Sequence, residues 1–321
     1  MICLCCRKII SENASITEKE TLWHDKCVTD FFGVKTLPLI DVSDDMLKKI
    51  AYESTGKGYT VAGVQKKMSV HLTGENNNNP RLTLMNCPAG YIIKPQTAEY
   101  KCLPEAEYLV MHLAKLTGIK VVPFALIKGH DNNFLYITKR IDREDNKMLA
   151  MEDFCQLDGR LTEDKYKGSY ERCAKIIKKF SSQSVLDITE LFFRVIFSYC
   201  VGNSDMHLKN FSLIEKVPYS NRYILSDAYD LLPVNIVNPA DKDEMALTIN
   251  GKKRNIRRND FLKLSDSCGM QRKVAENIIK KVISNKEKYI QECEKSYLTD
   301  ELKEQMTALI EERCGRLSTE N

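Results

Sequence analysis

Long apolar runs are missing from this 321-residue sequence. The most apolar stretches, such as Leu191-Phe192-Phe193-Arg194-Val195-Ile196-Phe197, are interrupted by charge and too short to span a bilayer. The start, Met1-Ile2-Cys3-Leu4-Cys5-Cys6-Arg7-Lys8, lacks a basic leader followed by an apolar core, so no signal peptide is expected. Both absences argue against a membrane role and point to the cytoplasm. A surplus of one charge is missing as well. Forty-eight basic and 44 acidic residues leave a formal net charge of +4, which neither requires nor excludes nucleic acid. Internal repeats and low-complexity tracts are absent. So are the Walker A pattern and a multi-glycine phosphate loop.

What is present is a globular composition, 43% hydrophobic and 29% charged, too apolar for a disordered chain. The length suits about two domains or two lobes of one fold. Most of the 12 cysteines are scattered singly and read as small buried hydrophobes in a reducing compartment. The N-terminal ones are different. Cys3 and Cys6 are spaced C-x2-C, His24 and Cys27 H-x2-C, with 17 residues between the pairs. Two close ligand pairs joined by a short segment can close a tetrahedral Zn²⁺ shell. Such an ion would supply folding energy that a short module cannot draw from its own core. Cys5 could stand in for Cys6, and a metal-free module with buried thiols is the alternative.

Four segments follow from the patterning. Residues 1–34 form the cysteine-bearing module. Residues 35–58 read as a connector with a short helix beginning near Asp41-Val42-Ser43-Asp44. Residues 59–143 read as a mainly antiparallel sheet carrying one helix. Its strands are Met68–Leu72, Arg81–Met85, Tyr91–Pro95, Val121–Leu126 and Phe134–Lys139, and its helix is 104–117. Residues 144–321 are mainly helical, with a hairpin at 211–225 and three helices expected after residue 260. A sheet lobe followed by a helical lobe predicts an α+β, two-lobed fold with a cleft between the lobes.

The residues most suggestive of chemistry lie in Gly202-Asn203-Ser204-Asp205-Met206-His207-Leu208-Lys209-Asn210. Asn210 follows Asp205 by five residues, and Asp230 follows Asn210 by 20, beyond the hairpin. That spacing is the one at which protein kinases place a catalytic Asp and two Mg²⁺ ligands. Asp205 could accept or orient the proton of an incoming hydroxyl, while Asn210 and Asp230 supply the sparse oxygen ligation that Mg²⁺ prefers. Without such a role, Asp205 would cap a turn and Asn210 would bond loop backbone. Val61-Ala62-Gly63-Val64-Gln65-Lys66-Lys67 could approach a phosphate closely, or be a tight turn with solvated lysines. Lys94, ending an apolar strand, could pair nucleotide phosphates or merely snorkel. Arg140 and Asp142, between the lobes, could meet adenine and ribose or fix the crossover.

Taken in order, these motifs resemble the HipA-type serine/threonine kinases, toxins of bacterial toxin–antitoxin modules. The matching segments are Val61–Lys67, Tyr91–Pro95, Arg140–Arg143, Glu152–Gln156, Gly202–Ser212 and Ala228–Leu231, and the resemblance covers about residues 55–310. It implies a protein-kinase-like fold with a sheet-rich N-lobe and a helical C-lobe. It implies ATP and Mg²⁺ as cofactors, with Asp205 as catalytic aspartate, His207 and Lys209 in the catalytic loop, Asn210 and Asp230 on Mg²⁺, and Lys94 on the ATP phosphates. Val61, Ala62, Gly63, Val64, Gln65 and Lys67 fall in the phosphate loop, Arg140 and Asp142 in the nucleotide pocket. Thr60 falls where the family carries an autophosphorylated hydroxyl. The implied partners are a small DNA-binding antitoxin, DNA only through it, and a translation-related substrate such as an aminoacyl-tRNA synthetase. The family's small N-terminal subdomain has no counterpart here, so a separate small subunit could supply it. Lys139 and Ile141 also depart from the family's usual linker. The rival reading is a catalytically inactive module that binds an antitoxin.

Overall fold

A computed structural model describes residues 1–41, 67–74, 79–83, 90–129, 133–144 and 147–319. The chain divides into two compact units. One comprises Met1–Tyr108 and Val122–Asn146, the other Leu109–Val121 and Lys147–Asn321.

The first unit is built on a six-stranded sheet. In chain order the strands are β1 (Leu39–Asp41), β2 (Met68–Thr73), β3 (Arg81–Thr83), β4 (Tyr91–Lys94), β5 (Phe124–Lys128) and β6 (Phe134–Lys139). They lie in the order β1-β3-β2-β4-β6-β5. All pairings are antiparallel except β1 with β3. Met68, Val70 and Leu72 of β2 are buried while Ser69 is exposed, the period-2 alternation of a strand with one face on a core. β1 comes from the stretch read as a connector. The helix expected just after it lies outside the described residues. The strand expected from Val121 starts instead at Phe124. Pro123 has no N–H to give a ladder, and its carbonyl accepts bonds from the Lys139 N–H and the Thr138 hydroxyl.

The N-terminal residues belong to this unit. A turn closed by the Ile2–Ile9 bridge precedes two short helices, Ile16–Thr21 and Asp25–Phe32. The first helix starts at a capping box made by Ser15 and Glu18. Leu4, Trp23, Val28, Phe31 and Phe32 are buried.

In the second unit the helix Ser184–Cys200 is buried all round from Leu191 to its end. Ile188, Leu191, Phe192, Val195, Ile196, Tyr199 and Cys200 are all buried. Beside it stands a three-stranded antiparallel sheet of Tyr223–Leu225, Ser212–Glu215 and Met151–Asp153. The hairpin is where its spacing predicts, but the third strand, Met151–Asp153, carries no signal of its own. It is too short for alternation to show, and Asp153 also caps the helix Phe154–Leu157. After residue 255 there are four helices, not three: Arg258–Cys268, Arg272–Ile283, Lys286–Glu294 and Asp300–Ser318. Gly269 ends the first of these in the left-handed region at φ 75°. Among the described residues no helix is long and apolar enough to cross a membrane.

Candidate active site

The helix Ser184–Cys200 delivers the segment 201–211 from its buried C-terminal end. Gly202 turns the chain at φ 71°, and the Asn203 N–H bonds back to the Ser198 carbonyl at 2.8 Å. The loop is then fixed by its own groups. His207 N–H donates to the Asp205 carbonyl at 2.8 Å, and Asn210 Nδ2 donates to the same carbonyl at 2.7 Å. This bond orients the Asn210 amide by holding its nitrogen, so that Oδ1 is the atom it could offer to a cation. The Asp205 carboxylate accepts a 2.6 Å bond from the Tyr166 phenol. Tyr170 donates to the Met206 carbonyl at 2.9 Å, so the segment is held from the side of the helix Tyr170–Phe180 as well.

Burial pushes the Asp205 carboxyl up to about 7. The Tyr166 bond and the Lys165 charge pull against that shift, while Asp230 and Asp241 add to it. The same burial holds His207 down to about 3, with Lys165 adding to the effect, so its imidazole is neutral at physiological pH. Its ring packs edge-on against Tyr166 at 5.0 Å. Its Nδ1 is buried with no hydrogen-bond partner among the described residues. Lys209 donates to Asp153 Oδ2 at 2.7 Å, tying the loop to the edge strand of the small sheet. The Tyr229 hydroxyl donates to the Lys209 carbonyl at 3.1 Å, which links the loop to the segment carrying Asp230. Asp230 itself takes a left-handed backbone at φ 55°, unusual outside glycine. Asp205, His207, Lys209, Asn210 and Asp230 are thus brought into one connected region of the second unit.

In the first unit, Lys94 ends β4, and its ammonium lies 2.6 Å from Glu107 Oε1 on the helix Leu103–Thr117. Both side chains are buried, and the Lys94 ammonium also lies 5.3 Å from the centre of the Tyr136 ring. A buried lysine on a strand paired to a helix glutamate is the arrangement protein kinases use at the nucleotide phosphates. Asp142 is clamped by Arg140 through two bonds, 2.9 and 2.6 Å, and by Arg143. Burial opposes its ionisation, but the guanidiniums hold its carboxyl below the usual range. Lys67 is exposed just before β2. Thr60, Val61, Ala62, Gly63, Val64 and Gln65 lie outside the described residues.

Cys3, Cys6, His24 and Cys27 also converge, with one ligand atom from each within 4.8 Å of all the others. Cys5, the alternative to Cys6, is not among them. His24 is the N-cap of the helix Asp25–Phe32, and Cys27 lies three residues on, so both face the cysteine turn. Burial resists ionisation at Cys6, yet bonds from the Lys8 backbone, Cys27, His24 and Cys3 hold its thiol low. Burial and the neighbouring sulfurs push Cys27 up. Thiols this crowded cannot all ionise unless a cation offsets their charge. Three sulfurs and one imidazole fit tetrahedral Zn²⁺.

The spacing of the sequence did not reveal Glu107, Tyr166 or Asp153. Glu107 had a signal: it falls on the same helix stripe as Val110 and Ala114, an acid among buried apolar positions. Tyr166 is 39 residues from its partner and belongs to no motif, while Asp153 falls in the Glu152–Gln156 segment, which gave no hint that it would meet Lys209, 56 residues on.

The profile of the HipA-like C-terminal domain matches residues 59–290. Over 272 residues the chain is 26% identical to a Haemophilus influenzae protein named "Putative kinase", covering 75% of this chain and 77% of that one. It is 31% identical over 186 residues to "Putative kinase Y4dM" of Sinorhizobium fredii, covering 54% of this chain and 44% of the relative. Among solved structures, a chain of the Shewanella oneidensis MR-1 HipA–HipB–operator DNA complex superposes with a TM-score of 0.66 at 19% identity. That match covers 80% of this chain and 64% of that one. The Helicobacter pylori proinflammatory kinase CtkA superposes with a TM-score of 0.51 at 16% identity, covering 75% and 88%. With its α+β kinase-like fold, the chain belongs to the HipA-like C-terminal domain family.

Proposed function

We propose that this chain is an ATP- and Mg²⁺-dependent serine/threonine protein kinase that acts as the toxin of a toxin–antitoxin module. The observation that carries the chemistry is the bond from the Asn210 amide nitrogen to the Asp205 backbone carbonyl, which ties the two residues together in one short loop at kinase spacing from Asp230. Asp205 takes the proton of the acceptor hydroxyl as the γ-phosphoryl group arrives. A carboxyl poised near neutrality suits that task better than one of ordinary acidity. Asn210 through Oδ1 and Asp230 through its carboxylate would hold Mg²⁺, which offsets charge on the β- and γ-phosphates. Lys94, oriented by Glu107, binds the nucleotide phosphates. Arg140 and Asp142 border the nucleotide, as do the 61–67 segment and its Lys67. Neutral His207 and the Lys209–Asp153 pair keep the loop in shape. Thr60 is the autophosphorylation acceptor. Cys3, Cys6, His24 and Cys27 hold a structural Zn²⁺.

The Shewanella chain that this fold resembles is in complex with HipB and operator DNA. A small DNA-binding antitoxin is therefore the partner we assign, with DNA reached only through it. The substrate we assign is a translation-related protein. The test is transfer of label from γ-labelled ATP with Mg²⁺, by the full chain alone and in host lysate, beside D205N and D230N. The expected result is label on a discrete host protein and on Thr60, lost by about a hundredfold or more in either variant. Equal labelling by wild type and both variants would overturn the assignment. Nucleotide binding with no transfer at all would favour a non-catalytic antitoxin-binding module.

A further inference from the structure

We infer that the metal held by the N-terminal tetrad sets the position of the Lys94–Glu107 pair, so that nucleotide affinity depends on metal occupancy. This rests on the readings that the tetrad holds Zn²⁺ and that Lys94 meets nucleotide phosphates. The tetrad and the pair share one compact unit, and three sets of contacts join them.

The first is a chain of rings. Arg7 follows Cys6 directly, and its guanidinium lies 5.8 Å from the centre of the Tyr108 ring. Tyr108 meets Phe124 edge-on at 5.6 Å, and Phe124 stacks on Tyr136 at 6.3 Å. The Lys94 ammonium sits over Tyr136. Tyr108 also neighbours Glu107 in the helix, so both ends of the ion pair border this row. The second set is backbone. The Leu126 N–H donates to the Leu4 carbonyl at 3.0 Å, and Trp23 Nε1 donates to the Leu126 carbonyl at 3.1 Å. The module thereby satisfies both backbone groups of Leu126 on β5, the edge strand next to Tyr136's own β6. The third set acts on β4. Phe31 and Phe32 pack at 6.0 and 5.3 Å on Tyr91, which stands three residues before Lys94, and the Tyr91 hydroxyl donates to the Phe31 carbonyl.

What positions these groups is the tetrad. Its two helices have 6 and 8 residues, too few to persist alone. Arg7 holds a left-handed backbone at φ 61°, and its N–H bonds to the Cys3 carbonyl at 3.0 Å within the cysteine turn. A dication drawing Cys3 and Cys6 onto His24 and Cys27 fixes that turn, and with it Arg7, Leu4 and Trp23. Without it the row loses its anchored end, and the Lys94 ammonium loses a fixed setting before a nucleotide arrives.

The experiment uses the full chain purified under reducing conditions. Metal content is read by elemental analysis, and affinity by titration with the fluorescent nucleotide mant-ATP plus Mg²⁺. The expected result is one zinc per chain. Removing it with a thiol-compatible chelator weakens mant-ATP binding by about tenfold, and readding Zn²⁺ restores it. R7A is expected to keep one zinc per chain yet bind mant-ATP about threefold more weakly, the size of a lost cation–ring contact. If no zinc is bound, and added Co²⁺ gives no thiolate absorption band, the tetrad reading falls and the inference with it. If the zinc-loaded protein binds no mant-ATP, the nucleotide reading is the one that fails, again taking the inference with it. Zinc present with unchanged affinity after its removal, or in R7A, overturns the coupling alone. Should the stripped protein unfold, R7A decides.

Discussion

The Tyr166 phenol donates a 2.6 Å hydrogen bond to Asp205 Oδ1, tying the carboxylate to a residue 39 positions earlier. The bond stabilises the ionised acid against the burial that pushes it up to about 7. Y166F should therefore raise the Asp205 pKa further. In the proposed phosphoryl transfer Asp205 acts as the ionised carboxylate, so the acidic limb of the kcat–pH profile should move to higher pH. At pH 7 kcat should fall roughly tenfold and recover in part by pH 8.5. An unmoved limb would separate Tyr166 from the proton transfer.

Asp205 also gives the fold a pH dependence of known sign. Its folded pKa lies above the ordinary value of 3.8, so the folded state binds its proton more tightly than the unfolded chain. Its contribution is most favourable below about pH 4 and is lost as pH rises through about 7. D205N removes this cost. In the absence of Mg²⁺ the variant should be about 1–3 kcal/mol more stable than wild type at pH 8, with the gain fading towards pH 4. Denaturant melts at the two pH values measure it.

Lys94 and Glu107 are 2% and 0% exposed. Removing either partner strands a buried charge, so K94M and E107Q should each cost about 3 kcal/mol or more. The double variant K94M/E107Q should cost clearly less than the sum, because no charge is then stranded. All three should lose phosphoryl transfer. Strict additivity in urea melts would contradict the pairing.

Gly202 occupies φ 71°, and a Cβ there would meet the Leu309 methyl carbons at 3.1 Å. The leucine end can yield, so the backbone is the main cost. G202A should lose about 1–2 kcal/mol. G202N, which tolerates the left-handed region better, gains back part of the backbone term but adds bulk against Leu309. Thermal melts of both variants would show whether backbone or packing dominates.

The sequence by itself determined the features that act over short spans. Asp205, Asn210 and Asp230 are legible because the loop and hairpin between them have fixed lengths. Cys3, Cys6, His24 and Cys27 are legible because a tight turn and one turn of helix set their spacings. The period-2 strands and 3.6-period helices follow from which faces are apolar. Only the tertiary structure decided that Glu107 meets Lys94, that Tyr166 bonds Asp205, that Lys209 bonds Asp153, and that β1 pairs parallel with β3. It also brought Cys6 rather than Cys5 to the tetrad. These choices join residues far apart in the chain, and packing selects each partner from many chemically equivalent side chains. No local periodicity encodes that selection, whereas burial enforces it, because a charge or donor left unmatched in the interior costs more than the contact contributes.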